Sequence, residues 1–135
     1  MSHSRVLLVD DDLDIRQLLQ KVLTDAGIQC DAAGSAQECL NMTRARGYAV
    51  VVADINMPGM DGIELLEALK SQSSLVQTIM LTSESTMSRV IECLDRGATD
   101  FFAKSDDLGT LIKTVKESIA RSERWMRLLS MRASV

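Results

Sequence analysis

The chain has 135 residues, 46% of them hydrophobic and 25% charged, with a formal net charge of −4. That length suits one compact domain with a core of its own, and the balance is that of an ordinary soluble protein. The acidic balance argues against direct nucleic-acid binding or a membrane-surface role, and no stretch has the form of a signal peptide or a membrane span.

Cys30, Cys39 and Cys93 are odd in number and lack metal-ligand spacing, so reduced, partly buried thiols in a cytoplasmic protein are expected. No internal repeat or low-complexity tract is present, and His3, near the terminus, is given no role.

Arg5-Val-Leu-Leu-Val9 is a nearly all-apolar run, as a strand covered on both faces must be. Asp10, Asp11 and Asp12 follow at once, with Asp12 placed as a helix cap or first-turn residue. Ile15, Leu18, Leu19, Val22 and Leu23 recur at helical steps, and Gly27 ends that helix. Ile28 to Ala32 reads as a shorter, more polar strand near the sheet edge. Ser35 and Glu38 have capping-box spacing before a helix that stops at Gly47.

Ala49 to Ala53 is the central strand, and it ends abruptly at Asp54. A turn with the chain's one proline, Pro58, beside Gly59 leads to a second capping-box pair, Asp61 and Glu64. Ile63, Leu65, Leu66 and Leu69 mark the third helix. Gln77 to Leu81 is a fourth strand ending at Thr82 and Ser83. Met87, Val90, Ile91 and Leu94 line a fourth helix, with Val90, Ile91 and Leu94 assigned to the core, and Gly97 closes it. Asp100 to Ala103 is a fifth strand ending at Lys104, and a long helix begins near Asp107.

Strict strand–helix alternation predicts an α/β fold, a five-stranded parallel sheet with helices on both faces. Ligands of such sheets bind beyond the carboxyl ends of the strands. Those ends carry Asp10, Asp11, Asp54, Thr82 and Lys104. Carboxylates converging on one crevice repel unless a cation neutralises them, and magnesium, with oxygen ligands and room for a phosphate oxygen, fits best. A carboxylate can itself be the nucleophile, giving an acyl phosphate, with a hydroxyl and a lysine to hold the phosphoryl group.

Four segments, in this order and spacing, resemble the response-regulator receiver domain: Val-Leu-Leu-Val-Asp-Asp-Asp at 6–12, Asp-Ile-Asn-Met-Pro-Gly-Met-Asp-Gly at 54–62, Leu-Thr-Ser at 81–83 and Asp-Phe-Phe-Ala-Lys at 100–104. The resemblance implies a flavodoxin-like sheet of order 2-1-3-4-5, with residues 1–121 as the receiver and 122–135 as a C-terminal helical extension. It implies that Asp54 accepts a phosphoryl group from a sensor histidine kinase or phosphotransfer protein. Asp11, Asp54 and the backbone carbonyl of Asn56 would ligate Mg2+ (or Mn2+), and Asp10 would assist through a water. Thr82, Ser83 and Lys104 would bind the phosphoryl group, and Thr82 and Phe101 would switch the surface of helix four, strand five and helix five toward an output partner. By the same resemblance, Asn56 and Glu84 would occupy the positions that tune dephosphorylation, and polar residues there imply a transient phosphoryl state. The domain would be a signalling module rather than an enzyme acting on other substrates. Within the same family, the alternative is an adaptor that works through binding alone.

Other classes fit less well. A flavin carrier needs a Ser, Thr and Gly-rich first loop, and this one is acidic. An aspartyl phosphatase needs a second acid where Asn56 stands.

Two departures from the family pattern stand out. Ser105 follows Lys104 where the family has proline after a cis bond, and a cis bond without proline costs about 2.5–4 kcal/mol, so a trans bond is expected. The last helix is also overlong. Leu108, Ile112, Val115, Ile119, Ser122, Met126 and Leu129 continue a heptad-like register, with Trp125 and Leu128 beside it among Arg121, Arg124 and Arg127. That pattern is read either as a frayed tail or a helix folded back on its own domain, or as a helix that forms a homodimer or transmits a signal.

Overall fold

The computed structural model describes residues 5–133, without the side chains of residues 85, 132 and 133; His3 lies outside the described residues. Five parallel strands form one sheet in the order β2-β1-β3-β4-β5: β1 (Val6–Val9), β2 (Cys30–Ala33), β3 (Val50–Asp54), β4 (Gln77–Thr82) and β5 (Asp100–Ala103). The helices are α1 (Leu13–Asp25), α2 (Ala36–Ala45), α3 (Gly62–Gln72), α4 (Val90–Asp95) and α5 (Leu108–Ala133). A 3₁₀ segment, Glu84–Arg89, leads directly into α4.

The sheet is covered on both sides, which is why β1 is apolar throughout and β3 is apolar up to its last residue, Asp54. Leu7, Val9, Val51 and Ala53 face a core closed by Leu40 of α2, Leu66 and Leu69 of α3 and Cys93 of α4. Val6, Leu8, Val50 and Val52 face the other core, closed by Leu19 and Leu23 of α1 and Leu111 and Val115 of α5. The chain steps outward from β1 to β2 and then crosses back to β3. Strand order therefore reverses between β1 and β3, and a crevice opens beyond their carboxyl ends.

Caps set where the helices begin. Asp12 accepts from the amides of Asp14 and Ile15 and starts α1. Asp61 accepts from Ile63 and Glu64, and the Glu64 side chain returns to the Asp61 amide, completing the expected box. At α2 only half of the box forms. Ser35 accepts from the Glu38 amide, but the Glu38 carboxylate reaches the amide of Gly34 instead.

The structure corrects three assignments. Val90 is half-buried, and Ile91 and Leu94 are 72% and 51% exposed rather than core. Thr86 and Cys93, seven residues and thus two turns apart, take the inward place. A periodic stripe identifies a helix but not the side its neighbours cover. Leu18 likewise points to solvent, while Leu19 and Leu23 pack inward.

In α5 the buried line is Leu111, Val115, Ser118 and Ser122: it keeps Val115 and Ser122 of the heptad-like register but takes Leu111 and Ser118 in place of Ile112 and Ile119, which with Leu108 are only partly buried, while Leu129 is exposed. The small serines admit a polar contact across the sheet end. Gln77 donates to the Ser118 carbonyl and accepts from Arg121. α5 runs unbroken through residues 121 and 122, and at 26 residues it is far longer than the six-residue β4. Among the described residues no helix is long and apolar enough to cross a membrane.

Candidate functional site: an acidic crevice with one lysine

Register places the acids. Val9 pairs with Ala53, so Asp10 and Asp54 leave adjacent strands at the same level. Asp54 pairs with Leu81, and Thr82 lies one residue further toward the crevice, opposite Ala103. Lys104 then follows β5, its amide donating to the Thr82 carbonyl at 2.8 Å. Asp10, Asp11, Asp54, Thr82 and Lys104 thus meet because four parallel strands end together.

The Lys104 Nζ donates to Asp54 Oδ2 at 3.0 Å and stands 3.2 Å from Asp10 Oδ2. The other Asp54 oxygen accepts from the Asn56 amide at 3.1 Å, and Asp10 Oδ1 accepts from the Asp12 amide at 3.0 Å. Asp10 is fully buried and Asp54 nearly so, whereas Asp11 is exposed. Burial is the main reason that the Asp10 pKa is raised; the Asp12 amide and the Lys104 charge only partly offset it. Burial pulls Lys104 the other way, but Asp54 and Asp10 outweigh it and keep the ammonium pKa above its ordinary value.

The donor set fits a hard divalent cation. Asp10, Asp11 and Asp54 each offer a carboxylate oxygen, and these oxygens lie within 4.8 Å of one another. Asp10 Oδ2 is buried and, among the described residues, accepts no well-directed hydrogen bond, although the Lys104 charge lies 3.2 Å away. Three acids facing one lysine leave uncompensated negative charge that an ion with oxygen ligands would neutralise.

The remaining predicted residues surround this centre. Thr82 is buried, while Asn56 and Glu84 are exposed. The Ser83 amide donates to Thr86 Oγ1 at 2.9 Å, which ties the β4 exit into the 3₁₀ segment. Phe101 is half-buried against the α3-side core and opposite Met80. The Lys104–Ser105 bond is trans, as expected.

Three supports were not evident from the sequence. Arg16 donates to the Asp10 carbonyl at 2.8 Å, bracing the acidic turn from the first helical turn after it. Arg89 pairs with Asp61 across 2.9 Å. Gly62 packs so tightly on the acceptor strand that a Cβ there would lie 2.6 Å from Ile55 Cα and 2.7 Å from the Asp54 carbonyl oxygen. Only the glycine carried a local signal, as the close of the Pro-Gly-Met-Asp-Gly turn.

The family model of the response regulator receiver domain matches residues 6–116. The DNA-binding transcriptional regulator NtrC of Klebsiella pneumoniae is 33% identical over 120 residues, which is 89% of this chain and 26% of that protein. The two-component response regulator ARR11 of Arabidopsis thaliana is 38% identical over 102 residues, 74% of this chain and 19% of that one. The chain therefore spans about a quarter or less of the curated relatives it matches. Among solved structures, the Vibrio cholerae chemotaxis protein CheY4 superposes with a TM-score of 0.79 at 33% identity, covering 85% of this chain and 98% of that one. NtrX of Brucella abortus superposes at 0.87 with 27% identity over 97% of this chain and 30% of its own. The match runs from β1 into α5 and takes in every strand end that builds the crevice, so the chain belongs to the family of response regulator receiver domains, signalling domains of two-component phosphorelays.

Proposed function

We propose that this chain accepts a phosphoryl group on Asp54 from a phosphohistidine of a sensor kinase or phosphotransfer protein. The observation that carries the reading is the Asp54 carboxylate itself, at the mouth of the crevice, with Lys104 at 3.0 Å on one oxygen and the Asn56 amide on the other. In the transfer, the phosphorus–nitrogen bond of the donor breaks and a phosphorus–oxygen bond to Asp54 forms. The imidazole leaves with the electron pair and takes up a proton. Lys104 holds the phosphoryl oxygens, and Thr82, with Ser83 beside it, supplies hydroxyl donors.

Magnesium or manganese would be held by Asp10, Asp11, Asp54 and the backbone carbonyl of Asn56. When bound, it would supply charge neutralisation on the transferring group.

The new charge draws Thr82 and Lys104 inward, and half-buried Phe101 turns toward the space released. The phosphoryl group biases the population of this pair and with it the surface of α4, β5 and α5. The exposed apolar residues Met87, Ile91 and Leu94 make that surface a fit for an output partner. Beyond Ser122, α5 carries the state outward to a second copy of the chain or to a following module. Light scattering on size-exclusion eluates separates these two: a strict monomer with and without phosphorylation rules out the dimer. Exposed Asn56 and Glu84 leave water access to the phosphoryl group, which gives a transient label.

Incubation with a small acyl phosphate and magnesium, read by intact mass, should add one phosphoryl group to the wild type and none to Asp54→Asn. Label on another residue of the variant would overturn the assignment. Label persisting for many hours after donor removal would overturn the transient state.

A further inference from the structure

The segment from Glu84 to Asp95 is lightly anchored. It joins a six-residue 3₁₀ run to a six-residue α-helix, and of its described side chains only Thr86 and Cys93 are buried. Runs of 3₁₀ geometry longer than three or four residues are uncommon, because their hydrogen bonds are poorer than those of an α-helix. One ion pair sits at the joint. Arg89, the last residue of the 3₁₀ run, places Nη2 2.9 Å from Asp61 Oδ2, and both side chains are 31% exposed. A second pair between the same helices, Arg96–Glu67, is more exposed, at 43% and 52%, and lies at the far end of α4.

Asp61 has two tasks at once. Its Oδ1 caps α3 by accepting from Ile63 and Glu64, while its Oδ2 holds Arg89. Burial pushes the Asp61 carboxyl up, but the Glu64 amide and the Arg89 guanidinium outweigh it and leave its pKa below the ordinary value. The next residue, Gly62, donates to the Ile55 carbonyl at 2.7 Å and rests against the Asp54 backbone. A continuous set of contacts therefore runs from the start of α4 to the acceptor strand.

We propose that the Arg89–Asp61 ion pair is a latch that holds the 84–95 segment against the acceptor loop and couples its position to phosphorylation of Asp54. A partner that displaces the Met87–Ile91–Leu94 face opens the latch, and by reciprocity the state of Asp54 alters how readily that face moves. The kinetic half rests on Asp54 being the phosphoacceptor; the structural half does not.

A double-mutant cycle of Asp61→Asn and Arg89→Gln tests both halves. Asparagine caps a helix about as well as aspartate, so α3 keeps its start. Hydrogen exchange of the α4 amides in the unphosphorylated protein should speed up about threefold in each single variant, as expected for a partly exposed pair. The double variant should exceed neither. Labelling by a small acyl phosphate with saturating magnesium should change in the same direction in both single variants; a plain field effect on the acidic site would move them in opposite directions. Unchanged exchange, or multiplying effects in the double, overturns the latch. Altered exchange with unaltered or oppositely moving labelling overturns the coupling. If the wild type takes no label at all, the Asp54 reading falls and the coupling with it, while exchange still decides the latch.

Discussion

Replacing Gly62 by alanine sets two effects against each other. Gly62 is the first residue of α3, where helix propensity alone favours alanine by up to about 1 kcal/mol. The new methyl, however, would sit 2.6 Å from Ile55 Cα and 2.7 Å from the Asp54 carbonyl oxygen, where ordinary contact begins near 3.4 Å. Both obstacles are backbone atoms of the acceptor strand and its exit, so no side chain can swing away. Only the Met80 terminal methyl, at 2.9 Å, can yield cheaply. Relief requires α3 to move off β3, breaking the Gly62–Ile55 hydrogen bond and loosening Ile63, Leu65 and Leu66 in the core. Overpacking of this kind costs about 1–3 kcal/mol, more than propensity returns. We expect Gly62→Ala to lower the urea midpoint at unchanged slope by a net loss of about 1–2 kcal/mol. Labelling at Asp54 should also slow, because the carboxylate is carried by the displaced strand end. A variant as stable as the wild type and labelled at the same rate would show that the close approach does not constrain the site.

Two further perturbations probe the site and the opposite end of the sheet. Lys104→Met keeps the side-chain stem but removes the cation shared by Asp54 and Asp10; labelling by a small acyl phosphate should fall about 100-fold. Calorimetric magnesium affinity should hold or rise once the competing ammonium is gone, and weaker binding would contradict the charge argument. Tyr48→Phe removes a 2.6 Å hydrogen bond to Asp31 Oδ2, which should cost about 1 kcal/mol at neutral pH. The Tyr48 bond, above all, lowers the Asp31 pKa, so this stabilisation is present above the ordinary carboxylate range and is lost as pH falls through the depressed value. Burial, with Asp31 next, pushes the Tyr48 phenol up to about 12, so the contribution is also lost as pH rises toward that value. Denaturation curves of the two proteins should separate at neutral pH and converge at both ends; a gap independent of pH would refute the assignment.

The strands that carry the site were legible because of what surrounds them. A strand covered on both faces has to be apolar throughout, so a carboxylate directly after Val9 or Ala53 marks a strand end. Parallel strands end on the same side. From that alone Asp10, Asp11, Asp54, Thr82 and Lys104 could be brought together without coordinates. The caps at Asp12 and Asp61 were legible for a local reason: their partners lie two and three residues away.

What the sequence left undecided depends on residues far apart in the chain. Met87, Ile91 and Leu94 have the spacing of a buried stripe, and only the packing of α4 on α3 turns them to solvent. In the last helix the spacing leaves open whether Ile112 and Ile119 or Leu111 and Ser118 lie inward beside Val115 and Ser122, and the approach of α5 to Gln77, which bonds the Ser118 carbonyl and Arg121, goes with the second choice. Asp61 meets Arg89 across 28 positions of sequence, and Lys104 meets Asp54 across 50. Hydrophobic periodicity records whether an element is covered, and terminal residues record where it stops. The side that is covered, and the distant charge that lies opposite, are set by how the helices settle on the sheet, and only the tertiary structure decides them.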